Sequence, residues 1–238
     1  MRVIGLIGGM SWESTADYYR LLNRAVAARR GGHHSARIVL HSVDFADVVQ
    51  LQRTGDWEGA GRLLGDAARG LEAAGAELVL IGANTMHHVA RAVEDAVRVP
   101  LLHIVDPTGS ALRAAGVRRA GLLGTRYTME LPFWRERLVA RFGIDLVVPD
   151  EDDRALVHRV IYEELCLGRV EEASRRDVGA VIERLGAMGA EAVVLGCTEL
   201  AMLVRPDDTA LPLFDTTRLH AEHAVDVALG DALLPAPS

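Results

Sequence analysis

The stretch that decides the fold occurs twice, first as Gly75-Ala76-Glu77-Leu78-Val79-Leu80-Ile81-Gly82-Ala83-Asn84-Thr85 and again as Gly189-Ala190-Glu191-Ala192-Val193-Val194-Leu195-Gly196-Cys197-Thr198-Glu199. Each copy is a short apolar run that ends in glycine and small polar residues, a pattern typical of a buried strand entering a loop. Two further pairs align at nearly the same offset: Gly5–Gly9 with Gly121–Thr125, and Pro100–Leu102 with Leu211–Leu213. Three matches in the same order predict an internal duplication.

Outward from these copies, short apolar runs alternate with segments of helical period. The predicted strands are Val3–Ile7, Arg37–His41, Leu78–Ile81, Leu101–Val105, Arg119–Leu123, Leu146–Val148, Ala192–Leu195 and Leu211–Phe214. The predicted helices are Ser14–Arg29, Trp57–Ala74, Pro132–Phe142, Asp153–Leu167 and Val170–Met188. Strands that alternate with helices predict parallel sheets. We therefore expect an α/β fold of two pseudo-symmetric lobes, each a parallel sheet flanked by helices, with the active site in the cleft between them.

The duplication also predicts the domain organisation. Residues 1–105 form the expected first lobe and residues 106–216 the second, with a boundary near Ile104–Gly109, where Asp106-Pro107 interrupts the pattern. A C-terminal helix at 217–229 is expected to pack back onto the first lobe. The tail from Leu233 to Ser238 is expected to fray.

Composition excludes several classes of protein. Half of the 238 residues are hydrophobic, which excludes a disordered chain. No apolar run reaches the roughly 18–20 residues needed to span a bilayer, so no membrane role is expected. The net charge of −7 is spread along the chain without a basic stripe, which argues against nucleic-acid binding. Only two cysteines, Cys166 and Cys197, predict reduced thiols and a cytoplasmic location.

The chemistry is expected beyond the carboxyl ends of the strands, where parallel sheets bind ligands. Free backbone N–H groups at helix starts there would form a cradle for a carboxylate. Cys197 follows one such strand, and a helix N-terminus would lower the pKa of its thiol; the alternative is a small buried residue at a strand end. Asn84, Thr85 and Thr198 are candidate ligand-binding residues, or alternatively helix caps. Glu199 and Thr125 are further candidates, whereas Cys166 has apolar neighbours and is expected to be a packed thiol.

Five motifs taken together resemble the aspartate/glutamate racemase family. They are Gly-Gly-Met-Ser-Trp-Glu-Ser-Thr (8–15), Leu-His-Ser-Val-Asp-Phe (40–45), Asn-Thr-Met-His (84–87), Leu-Gly-Thr-Arg-Tyr-Thr-Met-Glu (123–130) and Gly-Cys-Thr-Glu-Leu (196–200). The resemblance covers nearly the whole chain and is greatest to the bacterial branch with the L-aspartate/L-glutamate-specific racemase. It implies an isomerase that is independent of pyridoxal phosphate, uses no cofactor and no metal, and forms a homodimer.

The resemblance also implies roles for individual residues. Two residues of the family, usually cysteines, act on opposite faces of the substrate α-carbon, and Cys197 matches the one in the second lobe. Asn84, Thr85 and Thr198 match positions that hold the substrate α-carboxylate and amino group. Met10, Gln52 and Thr125 match further pocket positions.

The chain departs from the family at Ala83, which stands where the first-lobe acid/base is cysteine, or threonine in the closest branch. A methyl group exchanges no protons. Three interpretations stay open: water or a nearby hydroxyl or imidazole serves that face, the reaction needs a proton from one side only, or alanine was introduced to trap a ligand.

The expected function is a racemase or epimerase of aspartate, glutamate or a related amino acid, with Cys197 transferring the proton at Cα. The alternatives are a single-thiol decarboxylase or isomerase of a dicarboxylate, and an inactive carboxylate-binding homologue. In each case the expected partner is a small amino acid or dicarboxylate. Arg53, Arg126 and Arg169 are available for its side chain.

Overall fold

The computed structural model describes residues 1–234 and contains two parallel sheets of four strands each. The first sheet consists of β1 (Ile4–Gly8), β2 (Ile38–Ser42), β3 (Leu78–Ile81) and β4 (Leu101–Leu102). The second consists of β5 (Arg119–Gly124), β6 (Asp145–Val147), β7 (Ala192–Gly196) and β8 (Leu213–Asp215). The fold class predicted from the sequence is confirmed. The end of the tail expected to fray, residues 235–238, lies outside the described residues.

The two sheets have the same strand order. The first runs β2-β1-β3-β4 and the second β6-β5-β7-β8, so the second strand is at one edge and the fourth at the other in both. All neighbouring strands are parallel. The repeat seen in the sequence is therefore a repeat of topology.

Equivalent residues of the repeat make equivalent contacts. Glu77 Oε2 accepts a hydrogen bond from the N–H of Val3 at 2.7 Å, and Glu191 Oε2 accepts one from the N–H of Arg118 at 2.6 Å. Likewise, the N–H of Val79 donates to the carbonyl of Pro100 and that of Val193 to Pro212, both at 2.9 Å. These bonds satisfy backbone groups at the strand starts in both copies.

Helices lie between successive strands, and one more helix follows the last strand. They are α1 (Trp12–Arg30), α2 (Phe45–Thr54), α3 (Trp57–Ala73), α4 (Ala90–Ala96), α5 (Val105–Ala114), α6 (Arg126–Glu130), α7 (Phe133–Phe142), α8 (Glu151–Glu163), α9 (Glu172–Ala187), α10 (Leu200–Leu203) and α11 (Thr216–Leu229). Short 3₁₀ turns lie at Thr85–Val89, Leu165–Leu167 and Pro206–Asp208. Within residues 1–234, no helix combines the length and apolarity needed to cross a membrane.

Two sequence predictions near the expected lobe boundary were wrong. The fourth strand ends at Leu102 and not at Val105, because Val105 already begins α5. Asp106-Pro107 does not break the pattern, since Pro107 lies in the first turn of that helix. Proline is tolerated there because the first N–H groups of a helix have no intrahelical partner.

The chain divides into two compact units, one of Met1–His103 with the residues from His220 on, and one of Ile104–Leu219. The sequence placed the division at 105/106 and assigned a helix at 217–229 to the first unit. In the first unit, Ala221, Ala224 and Val225 of α11 pack with Tyr18 and Leu22 of α1 in one apolar cluster. Trp134 is fully buried in the core of the second unit.

Candidate functional site

In the first unit, the loop after β1 is tightly constrained. Gly9 has a φ of +90°, and a Cβ atom there would lie 2.1 Å from the carbonyl oxygen of Val43. The N–H of Gly9 donates to Thr15 Oγ1 at 2.7 Å. Only glycine fits such a position, and the result is a fixed path for Met10, which is buried.

The loop after β3 lies beside the loop after β1. Ile7 pairs with Ile81 in register, and the N–H of Gly82 donates to the carbonyl of Ile7 at 2.8 Å. Ala83, Asn84 and Thr85 therefore follow the same sheet edge as Met10. The turn that begins at Thr85 is a 3₁₀ turn, and the Asn84 side chain makes no capping hydrogen bond to it. The capping role considered from the sequence is thus not the role of Asn84.

All nine residues proposed from the sequence are less than a tenth exposed. They are Met10, Gln52, Ala83, Asn84, Thr85, Thr125, Cys197, Thr198 and Glu199. Gln52, from α2, donates through Nε2 to the sulfur of Met86 at 3.2 Å. Buried polar side chains in loops at strand ends are typical of binding sites, because burial of a polar group must be offset by a partner.

Three buried histidines of the first unit lie close to one another, and one of them contacts Ala83. The Nδ1–H of His87 donates to the carbonyl of Ala83 at 2.8 Å, and the His87 ring lies 4.6 Å from that of His103. His220 donates through Nε2 to the Leu102 carbonyl and accepts from the hydroxyl of Tyr18, both at 2.8 Å. Because a carbonyl can only accept, these bonds define the tautomers of His87 and His220.

In the second unit, the equivalent loops again lie side by side. Gly124 at the end of β5 pairs in register with Gly196 at the end of β7. Thr125 and Cys197 therefore follow the same sheet edge. Thr125 is the N-cap of α6, where its Oγ1 accepts a hydrogen bond from the N–H of Thr128 at 3.2 Å. Thr125 thus caps a helix, a role that the sequence suggested for Asn84, Thr85 and Thr198 but not for this residue.

Cys197 contacts a buried carboxylate. Its Sγ donates to Oε2 of Glu199 at 3.0 Å, and Thr198 Oγ1 donates to the same oxygen. Glu199 is only 2% exposed. A thiol hydrogen-bonded to a carboxylate has a proton acceptor in place, which is the arrangement needed to generate a reactive thiolate.

The sequence argument about the ionisation of Cys197 was wrong. Burial raises the pKa of its thiol well above the ordinary value, and the Glu199 carboxylate and Cys166 raise it further. The expected helix N-terminus is weak, because α10 has only four residues and begins at Leu200. A hydrogen bond from the backbone of Glu199 lowers the pKa of Cys197, but burial outweighs this effect.

Sequence reasoning also missed two neighbours of this group. Cys166 packs against the core of the second unit as expected, but its Sγ also donates to Oε1 of Glu199 at 3.6 Å. Burial is the first reason that the pKa of Tyr162 is raised, and the charges of Tyr127, Cys166, Cys197 and Glu199 raise it further, so Tyr162 interacts electrostatically with this group. The spacing of Glu163-Glu164-Leu165-Cys166 carries no signal for this contact, since it depends on the path of the chain after α8.

The three candidate arginines are exposed. Arg169 donates to the carbonyl of Glu163, and the guanidinium carbon of Arg126 lies 5.6 Å from the centroid of the Tyr127 ring. Neither contact involves Cys197 or Glu199. Among residues 1–234, no group of three or more histidine, cysteine or acidic side chains is arranged to hold a metal ion.

Comparison with known proteins shows the family of the chain. A family model described as Asp/Glu/Hydantoin racemase matches residues 7–224. The chain belongs to this family. Membership of a racemase family implies isomerase chemistry, and the resemblance drawn from the sequence motifs is confirmed.

Solved structures extend the comparison. A Yersinia pestis protein proposed to be an Asp/Glu racemase is 51% identical with a TM-score of 0.89, covering 96% of this chain and 100% of that one. An aspartate racemase homologue from Pyrococcus horikoshii OT3 is 32% identical with a TM-score of 0.81 and the same coverage of 96% and 100%. An aspartate racemase from Picrophilus torridus is 21% identical with a TM-score of 0.77, covering 99% and 96%, and shows the shared fold alone.

Proposed function

We propose that the chain is a cofactor-independent racemase or epimerase of aspartate, glutamate or a related amino acid, and that Cys197 carries the proton at Cα. The observation behind the proposal is the 3.0 Å contact between Cys197 Sγ and Glu199 Oε2 in a member of a racemase family. Glu199 accepts the thiol proton, which leaves a thiolate and a carboxylic acid. The thiolate then takes the α-proton, becoming a thiol again and leaving a carbanion at Cα.

The remaining loop residues are assigned to substrate binding. Asn84, Thr85 and Thr198 offer short, buried hydrogen-bonding groups for the α-carboxylate and amino group. Met10, Gln52 and Thr125 are assigned to the rest of the substrate. A substrate ammonium group also suits the buried negative charge of Glu199, because opposite charges attract strongly where water is excluded.

Ala83 favours a second candidate function. Its methyl group neither donates nor accepts a proton, so racemisation needs another proton carrier on that face, such as water. A single-thiol decarboxylase or isomerase of a dicarboxylate would need a proton from Cys197 alone.

The test is incorporation of deuterium at Cα in D₂O, measured by mass spectrometry across a panel of D- and L-amino acids. We expect exchange of at least one acidic amino acid and its loss in Cys197→Ala, by about 10²–10⁴-fold if the thiol is the acid/base. Ala83→Thr should increase interconversion of the enantiomers. Absence of exchange across the panel, with CO₂ released from substituted malonates, would replace racemisation with the second candidate.

A non-catalytic role is tested by the same variants. If Cys197→Ala binds aspartate or glutamate as tightly as the wild type and neither protein exchanges protons, the chain is a carboxylate-binding homologue. We further propose a cytoplasmic homodimer, for which light scattering should give twice the mass of the 25.7 kDa chain. A monomer at micromolar concentration would contradict it.

A further inference from the structure

The second cysteine lies on the opposite oxygen of the same carboxylate. Cys166 is in the 3₁₀ turn Leu165–Leu167, and its Sγ donates to Oε1 of Glu199 at 3.6 Å. Cys197 donates to Oε2 at 3.0 Å. Two thiols from distant parts of the sequence therefore hold the two oxygens of one buried carboxylate.

Cys166 is suited to remain a hydrogen-bond donor. Burial is the main reason that the pKa of its thiol is raised, and the nearby Glu199 carboxylate raises it further. At neutral pH the group is therefore S–H, while an ionised carboxylate can only accept. With Oε1 held by Cys166, the carboxylate presents Oε2 to Cys197 and to the hydroxyl of Thr198.

We propose that Cys166 is a positioning residue for proton transfer at Cys197: its thiol holds the Glu199 carboxylate so that Oε2 receives the Cys197 proton. This rests on the proposed function. The carboxylate also accepts a hydrogen bond from Thr198, and its charge contributes to the raised pKa of Tyr162 in α8.

The test compares Cys166→Ala and Cys166→Ser in the Cα exchange assay as a function of pH. We expect Cys166→Ala to slow exchange on the order of tenfold, the worth of one hydrogen bond to a charged group. It should also move the acid limb of kcat/KM, because the ionised carboxylate then has one hydrogen-bond donor fewer. Cys166→Ser should restore both, since its hydroxyl also donates.

Leu165→Ala is the matched control, because Leu165 is fully buried in the same turn and offers no donor. It should lower the unfolding temperature without moving the acid limb. The proposal is overturned if Cys166→Ala keeps the wild-type pH profile, if Cys166→Ser behaves like Cys166→Ala, or if Leu165→Ala shifts the limb equally.

A second readout separates this proposal from the proposed function. If the wild type exchanges no amino acid, the proposed function fails, but alkylation of Cys197 by iodoacetamide can still be followed by peptide mass spectrometry. Cys166→Ala should then shift the pH midpoint of Cys197 alkylation and Cys166→Ser should restore it, because the carboxylate keeps its orientation toward Cys197 only when residue 166 donates a hydrogen bond to it. An unchanged midpoint refutes the positioning role by itself.

Discussion

Glu199→Gln should change two properties of Cys197 in opposite directions. Glutamine keeps the size of the side chain but removes the negative charge 3.0 Å from Sγ. That charge contributes to the raised pKa of the thiol, after burial. The variant should therefore form the thiolate more readily in alkylation, where solvent takes the proton, and yet lose the internal base needed for exchange at Cα.

The size of both effects follows from the contact. Two unit charges 3.0 Å apart repel by about 5 kcal/mol at an effective dielectric constant of about 20, which is an upper limit here. Recovery of about 1.4 kcal/mol of this already gives a tenfold change, so we expect alkylation of Cys197 to be at least about tenfold faster at a given pH. Loss of a positioned base should slow exchange by about 10²–10⁴-fold.

The assay measures both rates on the same preparations between pH 6 and about 9, the range over which thiols begin to ionise, with Cys197 alkylation resolved by peptide mass spectrometry. Glu191→Gln is the control, a carboxylate of the same unit that accepts hydrogen bonds from the N–H groups of Arg118 and Arg119. It should leave both rates unchanged. If alkylation and exchange fall together in Glu199→Gln, the carboxylate is not the base and the reasoning is wrong.

Three further predictions concern stability. Gly9→Ala should lower the free energy of unfolding by more than about 2 kcal/mol, because it adds a backbone clash to the roughly 1–2 kcal/mol of left-handed strain. The control is Gly143→Ala, at φ +68° with open space around it, which should cost the strain alone. Equal urea midpoints for the two variants would contradict this prediction. Tyr18→Phe should cost about 1–3 kcal/mol by removing the donor to a buried histidine, whereas Tyr19→Phe on the exposed face should be neutral; equal melting temperatures would refute it. Backbone N–H donors lower the pKa of Glu191, so its contribution to stability is present above the unfolded-state pKa and is lost as the pH falls through the folded-state pKa. Glu191→Gln should therefore be less stable than the wild type at pH 7, and the difference should vanish in acid. A stability difference independent of pH would count against this prediction.

Much of the fold could be predicted because a strand that is buried on both faces is apolar throughout, and such a run is visible in the sequence. Strands such as Leu78–Ile81 are continuous apolar runs bounded by glycine, as parallel strands should be. Helix α2 was missed because its pattern is short, and α5 because Asp106-Pro107 resembles a break. Local pattern shows where a run is interrupted, but not whether a proline begins a helix or ends one.

Only those residues of the candidate site that lie at strand ends could be predicted from the sequence. Residues that directly follow a strand, such as Ala83 and Cys197, could be placed from the repeat, and the structure brings each beside a second loop of its own unit. The contact of Cys166 with Glu199 could not be placed, because it depends on tertiary packing of a turn. The ionisation of Cys197 was misjudged because the length of α10, and so the strength of its field, is not written in the motif.

The equivalent hydrogen bonds accepted by Glu77 and Glu191, and by the carbonyls of Pro100 and Pro212, bear on how such a chain can change over generations. These contacts lie where the strands begin, at the end of each sheet opposite to Ala83 in the first unit and Cys197 in the second. Folding constraints and reactive groups therefore occupy opposite ends of the same strands. A substitution after the carboxyl end of a strand can therefore change the chemistry of one unit without disturbing the fold of either unit. In a duplicated fold of this kind, the two copies can come to differ in reactive residues while they keep the same architecture.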